Sequence, residues 1–237
     1  MTASASLERD DAALLAALLA GFILAGQAVL VTAEPPIPRP ALRAARLRAQ
    51  QLQRDRTPGF DRSGTVIDPE AAVGLTPASL ALSIGLTAGG RRVVDAGCGA
   101  GGNAIGFARA GCTVTAIEHT AARLVMARTN ARVYGVEDQI AWIAADAFAW
   151  IEAAAPTRAL LFVDPPWGLD WQHARPSLEA MPLLAAAHAA RDRFAAVWAK
   201  LPPSFVPAAL PEYRPEAVYG LAEGDRRRIK FLLLRWP

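Results

Sequence analysis

The chain has 237 residues, 53% of them hydrophobic and 20% charged, which excludes a disordered protein and leaves ample apolar material for a core. That length fits one domain with an elaboration rather than two equal domains. The formal charge is only +3, yet every basic residue except Lys200 and Lys230 is an arginine, whose planar fork holds phosphate and stacks on bases. A GC-rich coding sequence inflates Ala, Arg and Pro together, so the surplus permits a nucleic-acid partner without identifying one. Cys98 and Cys112 are too few for a disulfide framework and lack metal-ligand spacing. No metal site and a reducing, cytoplasmic setting are therefore expected.

Residues 12–33 carry no charge and are long enough to cross a bilayer. They follow Glu8, Arg9, Asp10 and Asp11 rather than a basic leader. Leu14, Leu15, Leu18, Leu19, Phe22 and Ile23 recur at helical spacing, and Ala13, Ala17, Gly21 and Ala25 form a ridge of small residues. Such a ridge lets a second helix approach closely. The reading favours a buried or dimer-forming helix, stopped near Gly26, over a membrane span. Residues 27–32 then read as a strand or extended turn. The run Glu34-Pro35-Pro36-Ile37-Pro38-Arg39-Pro40 cannot be regular helix. From Ala41 to Arg56 the pattern is helical and basic, with Arg43, Arg46, Arg48, Arg54 and Arg56, either a solvated face or a phosphate-gripping stripe. Residues 57–75 read as loop.

From Thr76 onward short β-runs alternate with helical patterns. Residues 92–96, 113–118, 139–144 and 158–164 read as buried strands, and 194–200, 217–220 and 229–236 as further candidates. Residues 103–110, 120–134 and 147–155 read as helices. This alternation predicts an α/β fold, a parallel sheet covered on both faces. The expected division is an N-terminal helical extension and linker over 1–75 and one α/β domain over 76–237.

Ligands in such sheets bind beyond the carboxyl ends of the strands. The first strand ends in Asp95-Ala96-Gly97-Cys98-Gly99-Ala100-Gly101-Gly102-Asn103, a turn that lets the backbone pass close to a ligand. The second ends in Glu118, placed to take ribose hydroxyls. The third leads to Asp146, which either accepts from an adenine amino group or N-caps the helix at Ala147. Together they outline an adenosine pocket. The fourth ends in Asp164-Pro165-Pro166-Trp167-Gly168. The proline pair fixes the backbone and leaves carbonyls free. Asp164 and the Pro165 carbonyl can then accept both protons of an exocyclic amine while Trp167 stacks on its ring. Aligning so poor a nucleophile with an electrophile is the task this turn suits. Trp171 and His173 follow at the expected substrate mouth, and Arg226, Arg227, Arg228 and Lys230 form a basic run before the last strand. His119, beside the ribose position, reads as a helix-start or surface residue rather than a catalytic base.

Three runs, VVDAGCGAGGNAIGFA at 93–108, AIEHTAARLVMARTNARVYGV at 116–136 and DPPWG at 164–168, resemble class I S-adenosylmethionine-dependent methyltransferases. More narrowly they resemble the RNA cap guanine-N2 methyltransferase (trimethylguanosine synthase) family, with GTVIDPEAAVGLTP at 64–77 matching its segment upstream of the first core helix. The resemblance implies a Rossmann-like, mostly parallel seven-stranded sheet. It implies S-adenosyl-L-methionine as cofactor, with Thr76, Pro77, Asp95, Gly97, Gly99, Glu118 and Asp146 binding it. With the reading of the turn itself, Asp164, Pro165 and Trp167 are the expected catalytic residues and Pro166, Trp167 and Trp171 the expected substrate contacts, Trp167 being the one the resemblance also implies. Three departures bear on the substrate. Asp164 stands where the family usually has Ser; His119 and Thr120 follow Glu118 where a second acid is usual; and a Lys-rich element for cap phosphates is missing. The implied reaction is methyl transfer to an exocyclic amino nitrogen, guanine N2 of an RNA. A small planar amine or nucleoside-like metabolite, and an idle cofactor-binding assembly protein, are the alternatives. RNA contact through the Arg-rich segments and a homodimer through the N-terminal helix are the partner expectations.

Overall fold

A computed structural model describes residues 4, 6–20, 23–24, 27–54, 59–167, 176–220 and 229–237. Two compact units result, Met1–Arg56 and Thr57–Pro237.

In the first unit, helix α1 (Arg9–Leu19) opens with Asp10 and Asp11 in its first turn, where carboxylates oppose the positive end of the helix dipole. It ends well before Gly26, because Gly21 is a weak helix former and Phe22 and Ile23 favour extended chain. The short strands β1 (Ile23–Leu24) and β2 (Gln27–Ala28) pair antiparallel. Within the apolar stretch 12–33, the described residues form a helix ending at Leu19 and then two short paired strands, so the helix stops before the Gly26 expected from the sequence. Among the described residues no helix is long and apolar enough to cross a membrane. Helix α2 (Arg39–Arg54) is the basic helix expected from Ala41, and it packs on α1. It begins earlier than expected, taking Arg39 and Pro40 of the proline run into its first turn, where a proline forfeits no intrahelical bond. Small side chains are the buried ones on both: Ala13 on α1, Ala45 and Ala49 on α2.

The second unit begins with α3 (Pro69–Gly74), N-capped by Asp68, whose Oδ1 accepts from the Ala71 N–H at 2.9 Å. Helix α4 (Ala78–Ala88) follows and ends on Gly89 in the left-handed region. Then come β3 (Arg92–Ala96), α5 (Gly102–Arg109), β4 (Thr113–Glu118), α6 (Ala121–Tyr134), β5 (Ile140–Ala144), α7 (Ala147–Ala153) and β6 (Leu160–Val163). The chain closes with α8 (Pro182–Ala189), β7 (Ala196–Leu201), β8 (Arg214–Tyr219) and β9 (Ile229–Trp236). Helix α8 escapes the sequence pattern because its Ala- and Leu-rich run has no clear polar face.

The seven strands from β3 onward form one sheet in the order β5-β4-β3-β6-β7-β9-β8. The first five are parallel, and β9 runs antiparallel to both its neighbours. Val93, Leu160 and Phe162 point into one core layer with α4, α5 and α6. Val94, Leu161, Val163 and Val197 point into the other, with α7 and α8. Both faces are covered, which is why β6 and β7 are buried at every position.

Helices α4 and α5 cross at glycines. A Cβ at Gly106 would lie 2.5 Å from the Ala81 carbonyl carbon, and one at Gly85 2.6 Å from the Gly106 oxygen. Gly106→Ala is therefore expected to cost about 2 kcal/mol net, overpacking outweighing the gain in helix propensity. A lowered urea midpoint at unchanged m-value would show it.

The boundary between the units falls near residue 57, not at 75. The segment before α4 is bound to α6. Asn130, fully buried, accepts from Val66 N–H at 2.7 Å and donates to Val66 O and Ala100 O at 2.9 Å each. The Tyr134 hydroxyl donates to Asp61 Oδ1 at 2.6 Å, and Arg123 pairs with Asp68 and Glu70 at 2.9 and 2.6 Å. Within the family-like run at 127–135, Asn130 and Tyr134 serve this tether, while Arg128 and Arg132 pair with Glu137 at 3.3 and 2.6 Å.

Candidate active site

The order in which successive strands are added reverses at β3: β4 and β5 lie on one flank, β6 and β7 on the other. Such a switch point opens a crevice at the carboxyl ends of the strands. Register decides what stands there. Ala96 pairs with Ile117 and with Val163, so Gly97, Glu118 and Asp164 emerge at one height. Val163 in turn pairs with Ala199, which puts Lys200 level with Asp164.

The glycine turn is tied to β4. Gly97 and Cys98 N–H both donate to Ile117 O at 2.9 Å. Gly99 N–H donates to Glu118 Oε2 at 3.0 Å and Thr120 N–H to Glu118 Oε1 at 2.8 Å. Gly101 has φ 88° and a Cβ there would meet Ala127 Cβ at 3.0 Å, so the turn needs glycine at this point. Glu118 is buried, and two backbone donors use about half of its acceptor capacity, leaving room for hydroxyl donors. His119 is exposed, its Nδ1 3.2 Å from Glu118 Oε1.

Asp95 is 1% exposed, and neither carboxylate oxygen has a hydrogen bond of good geometry. Burial, reinforced by the nearby charge of Asp164, pushes its pKa up to about 8. Burial also raises the Asp164 pKa, while the Lys200 ammonium and the Asn103 amide oppose that rise. Lys200 Nζ donates to Asp164 Oδ2 at 2.7 Å and to Gly74 O at 2.8 Å, and Asn103 Nδ2 reaches the same Oδ2 at 3.0 Å. The Thr76 hydroxyl also lies against Asp164. Pro77 precedes α4, and its carbonyl accepts from Leu80 and Ala81.

Beyond Asp164, Pro165 is buried, Pro166 exposed and Trp167 half-buried, packed against both core layers. The Lys200 ammonium stands 5.0 Å from the Trp167 ring centroid. Asp146 is exposed and caps α7, its Oδ1 accepting from Ala149 N–H at 2.9 Å, as the helix-start reading expected. Trp171, His173 and Arg226 to Arg228 lie outside the described residues. Cys98 and Cys112 are buried free thiols, and no cluster of metal ligands is found among the described residues.

Thr76, Asp95, Gly97, Gly99, Glu118 and Asp164 therefore share one crevice. Lys200 and Asn103 join them and were not singled out from the sequence. Asn103 is the second residue of α5 and lay within the quoted turn, where only its glycines drew notice; Lys200 carried no local signal beyond being one of two lysines. The crevice holds Asp95, Glu118 and Asp164 against one ammonium, a donor set that calls for a cationic ligand.

Residues 90–173 match the family model described as RNA cap guanine-N2 methyltransferase. The chain is 30% identical over 142 residues to the trimethylguanosine synthase of Schizosaccharomyces pombe, covering 56% of each, and so spans about half the length of that curated relative. Among solved structures, a SAM-dependent methyltransferase of Agrobacterium tumefaciens superposes with TM-score 0.52 at 17% identity, covering 69% of this chain and 63% of that one. A hypothetical protein of Thermus thermophilus gives TM-score 0.52 at 14% identity, over 76% of this chain and 95% of that one. The fold is the expected class I methyltransferase fold, and the family resemblance holds from the first strand through the Asp-Pro-Pro-Trp turn.

Proposed function

We propose that this chain, a methyltransferase by fold and by family match, moves a methyl group from S-adenosyl-L-methionine to an exocyclic amino nitrogen, guanine N2 of an RNA. One observation carries the reading: the Asp164-Pro165-Pro166-Trp167 turn stands level with Gly97 and Glu118 at the switch point, with Asp95 two residues back on β3. The residues fit the cofactor. Asp95, buried with unsatisfied oxygens, suits the ammonium of its amino-acid end, and Glu118 keeps acceptor capacity for the ribose hydroxyls. The glycines of the turn leave open space beside Gly99. When bound, the cofactor supplies a methyl carbon on a sulfonium, which the amine nitrogen attacks as the carbon–sulfur bond breaks towards the thioether.

The remaining work belongs to the protein. Asp164 accepts an N–H of the amine and turns its lone pair towards the methyl carbon, and Trp167 stacks on the base. As the carbon–nitrogen bond forms, positive charge builds on the nitrogen and the Asp164 carboxylate stabilises it; the nitrogen proton then passes to solvent water.

A proton linkage follows. With a pKa of about 8, Asp95 is mostly protonated at pH 7, yet it meets a ligand ammonium best when ionised. Affinity for S-adenosylhomocysteine is expected to rise from pH 6 to pH 8, close to tenfold per unit at the lower end. Binding at pH 7 should release nearly one proton, seen as a heat that differs between phosphate and Tris buffers. A pH-independent affinity with no buffer effect excludes this role for Asp95. Without ligand the sign is opposite. The folded value lies above the unfolded 3.8, so Asp95 weakens the fold increasingly as pH rises from 4 to 8.

RNA contact is assigned to α2. Arg39, Arg43 and Arg46 are exposed at helical spacing, with no ion-pair partner among the described residues and no acidic residue between Glu34 and Asp55. Changing all three to Gln is expected to flatten the slope of log K against log salt by about 2 for single-stranded RNA. Filter binding across a salt series measures it. The reaction itself is tested by incubating the protein with labelled cofactor and separate RNA, cap-analogue, DNA and metabolite pools. N2-methylguanosine in digested RNA supports the proposal; label in a small amine alone, or in no pool, overturns it.

A further inference from the structure

We infer that Lys200 is the positioning residue of this site, fixing Asp164 as the acceptor of the substrate amine and locking it to the end of α3. The inference rests on the methyl-transfer reading. Lys200 is 3% exposed at the end of β7, in a chain whose other cationic positions are almost all arginine. Burying an ammonium is costly, and a buried ion pair often stabilises a fold no better than apolar residues of the same volume. Packing alone therefore gives little reason for a lysine here.

The geometry gives a reason. Lys200 Nζ and Asn103 Nδ2 converge on Asp164 Oδ2 at 2.7 and 3.0 Å. Oδ2 is thereby pinned from two sides, and Oδ1 retains capacity for an amine N–H. A second proton of the same ammonium goes to Gly74 O at 2.8 Å, the last residue of α3. That helix belongs to the segment which Asn130 and Arg123 hold to α6. The charge also sits over Trp167, the aromatic of the same turn. One side chain thus references the acceptor, the stacking ring and the segment ahead of α4 to each other.

Asp164 is faced by Lys200 from β7, by Asp95 from β3, by Asn103 from α5 and by Thr76 ahead of α4; Asp95 is faced in turn by Glu118 from β4. Removing the ammonium leaves the Asp164 carboxylate beside Asp95 without its cationic partner. It then takes up a proton at a higher pH and loses its strength as an acceptor.

The test is a double-mutant cycle of Lys200→Met and Asp164→Asn on the full chain. Lys200→Met alone is expected to lower kcat at least 100-fold, with S-adenosylhomocysteine affinity within threefold of wild type. The acid limb of its kcat–pH profile should move up by at least one unit. In the Asp164→Asn background the same change should alter kcat less than twofold, because its route through Asp164 is already gone. A kcat within threefold of wild type, or an equal loss in both backgrounds, overturns the inference. If Lys200→Met fails to fold, Lys200→Gln takes its place in the same cycle. Wild-type protein that methylates no pool defeats the underlying reading instead. The Asp164 carboxyl is then titrated by carbon NMR in free wild-type and variant protein: a rise in its pKa without Lys200 upholds the positioning role, and an unchanged value overturns it.

Discussion

Asp164→Asn is expected to reduce kcat for methyl transfer by about 10³-fold while leaving the cofactor bound. Asn keeps the size of the side chain but presents a weaker, neutral acceptor, and it leaves the Lys200 ammonium buried with Gly74 O as its remaining strong partner. The loss should fall on kcat rather than on KM, because charge on the amine nitrogen develops only as the new bond forms. Cofactor affinity at pH 7 gives a second, opposite signature. The charge of Asp164 is one cause of the raised Asp95 pKa, so its removal should ionise Asp95 more fully and hold or slightly tighten binding of S-adenosylhomocysteine. A variant with wild-type kcat, or one that loses cofactor affinity in proportion to activity, contradicts the assignment.

The second large effect lies away from the chemistry. Asn130→Ala is expected to destabilise the protein by about 4 kcal/mol, because it leaves Val66 N–H, Val66 O and Ala100 O without their partner inside the fold. For a unit of this size that is a fall in Tm of about 10 °C. Ala100 belongs to the glycine turn and Val66 to the segment that leads to Thr76, so cofactor affinity should weaken by an order of magnitude as well. Asn130→Asp separates the two contributions. It keeps an acceptor for Val66 N–H but loses both donated bonds, and it buries a charge beside two carbonyl oxygens. It should be at least as damaging as Ala. Tyr134→Phe, which removes the bond to Asp61 at the rim of the same tether, should cost only about 1 kcal/mol. Thermal melts with and without S-adenosylhomocysteine order the three variants.

The strand ends were legible for a local reason. A parallel strand buried on both faces is a short apolar run, and the polar residue that stops it is read directly from the chain. Asp95, Glu118 and Asp164 were found this way, and register then brought Glu118 and Asp164 to one height, with Asp95 two residues back on β3. Asp146 shows the limit. Its position two residues past β5 fitted both an adenine contact and an N-cap, and its bond to Ala149 supplies the capping half of that pair. The extent of α1 was misjudged because an uncharged run looks alike whether it forms one long helix or a helix and a hairpin.

What the sequence by itself determined is the sheet, its direction, and the three carboxylates at its edge, since each follows from periodicity within about ten residues. What only the tertiary structure decided is what those carboxylates meet. Lys200 reaches Asp164 across 36 positions, Asn103 across 61, and Asn130 reaches Val66 across 64. Each of these pairings depends on strand register and helix placement, which no local pattern encodes. A lone buried lysine looks like any other polar interruption of an apolar run until β6 and β7 are laid side by side. The arginine surplus divides on the same ground: Arg123 is drawn into the tether of the segment ahead of α4, while Arg39, Arg43 and Arg46 remain exposed on α2. Composition counted these arginines together, and only their burial and partners separate structural charge from charge available to a polyanion.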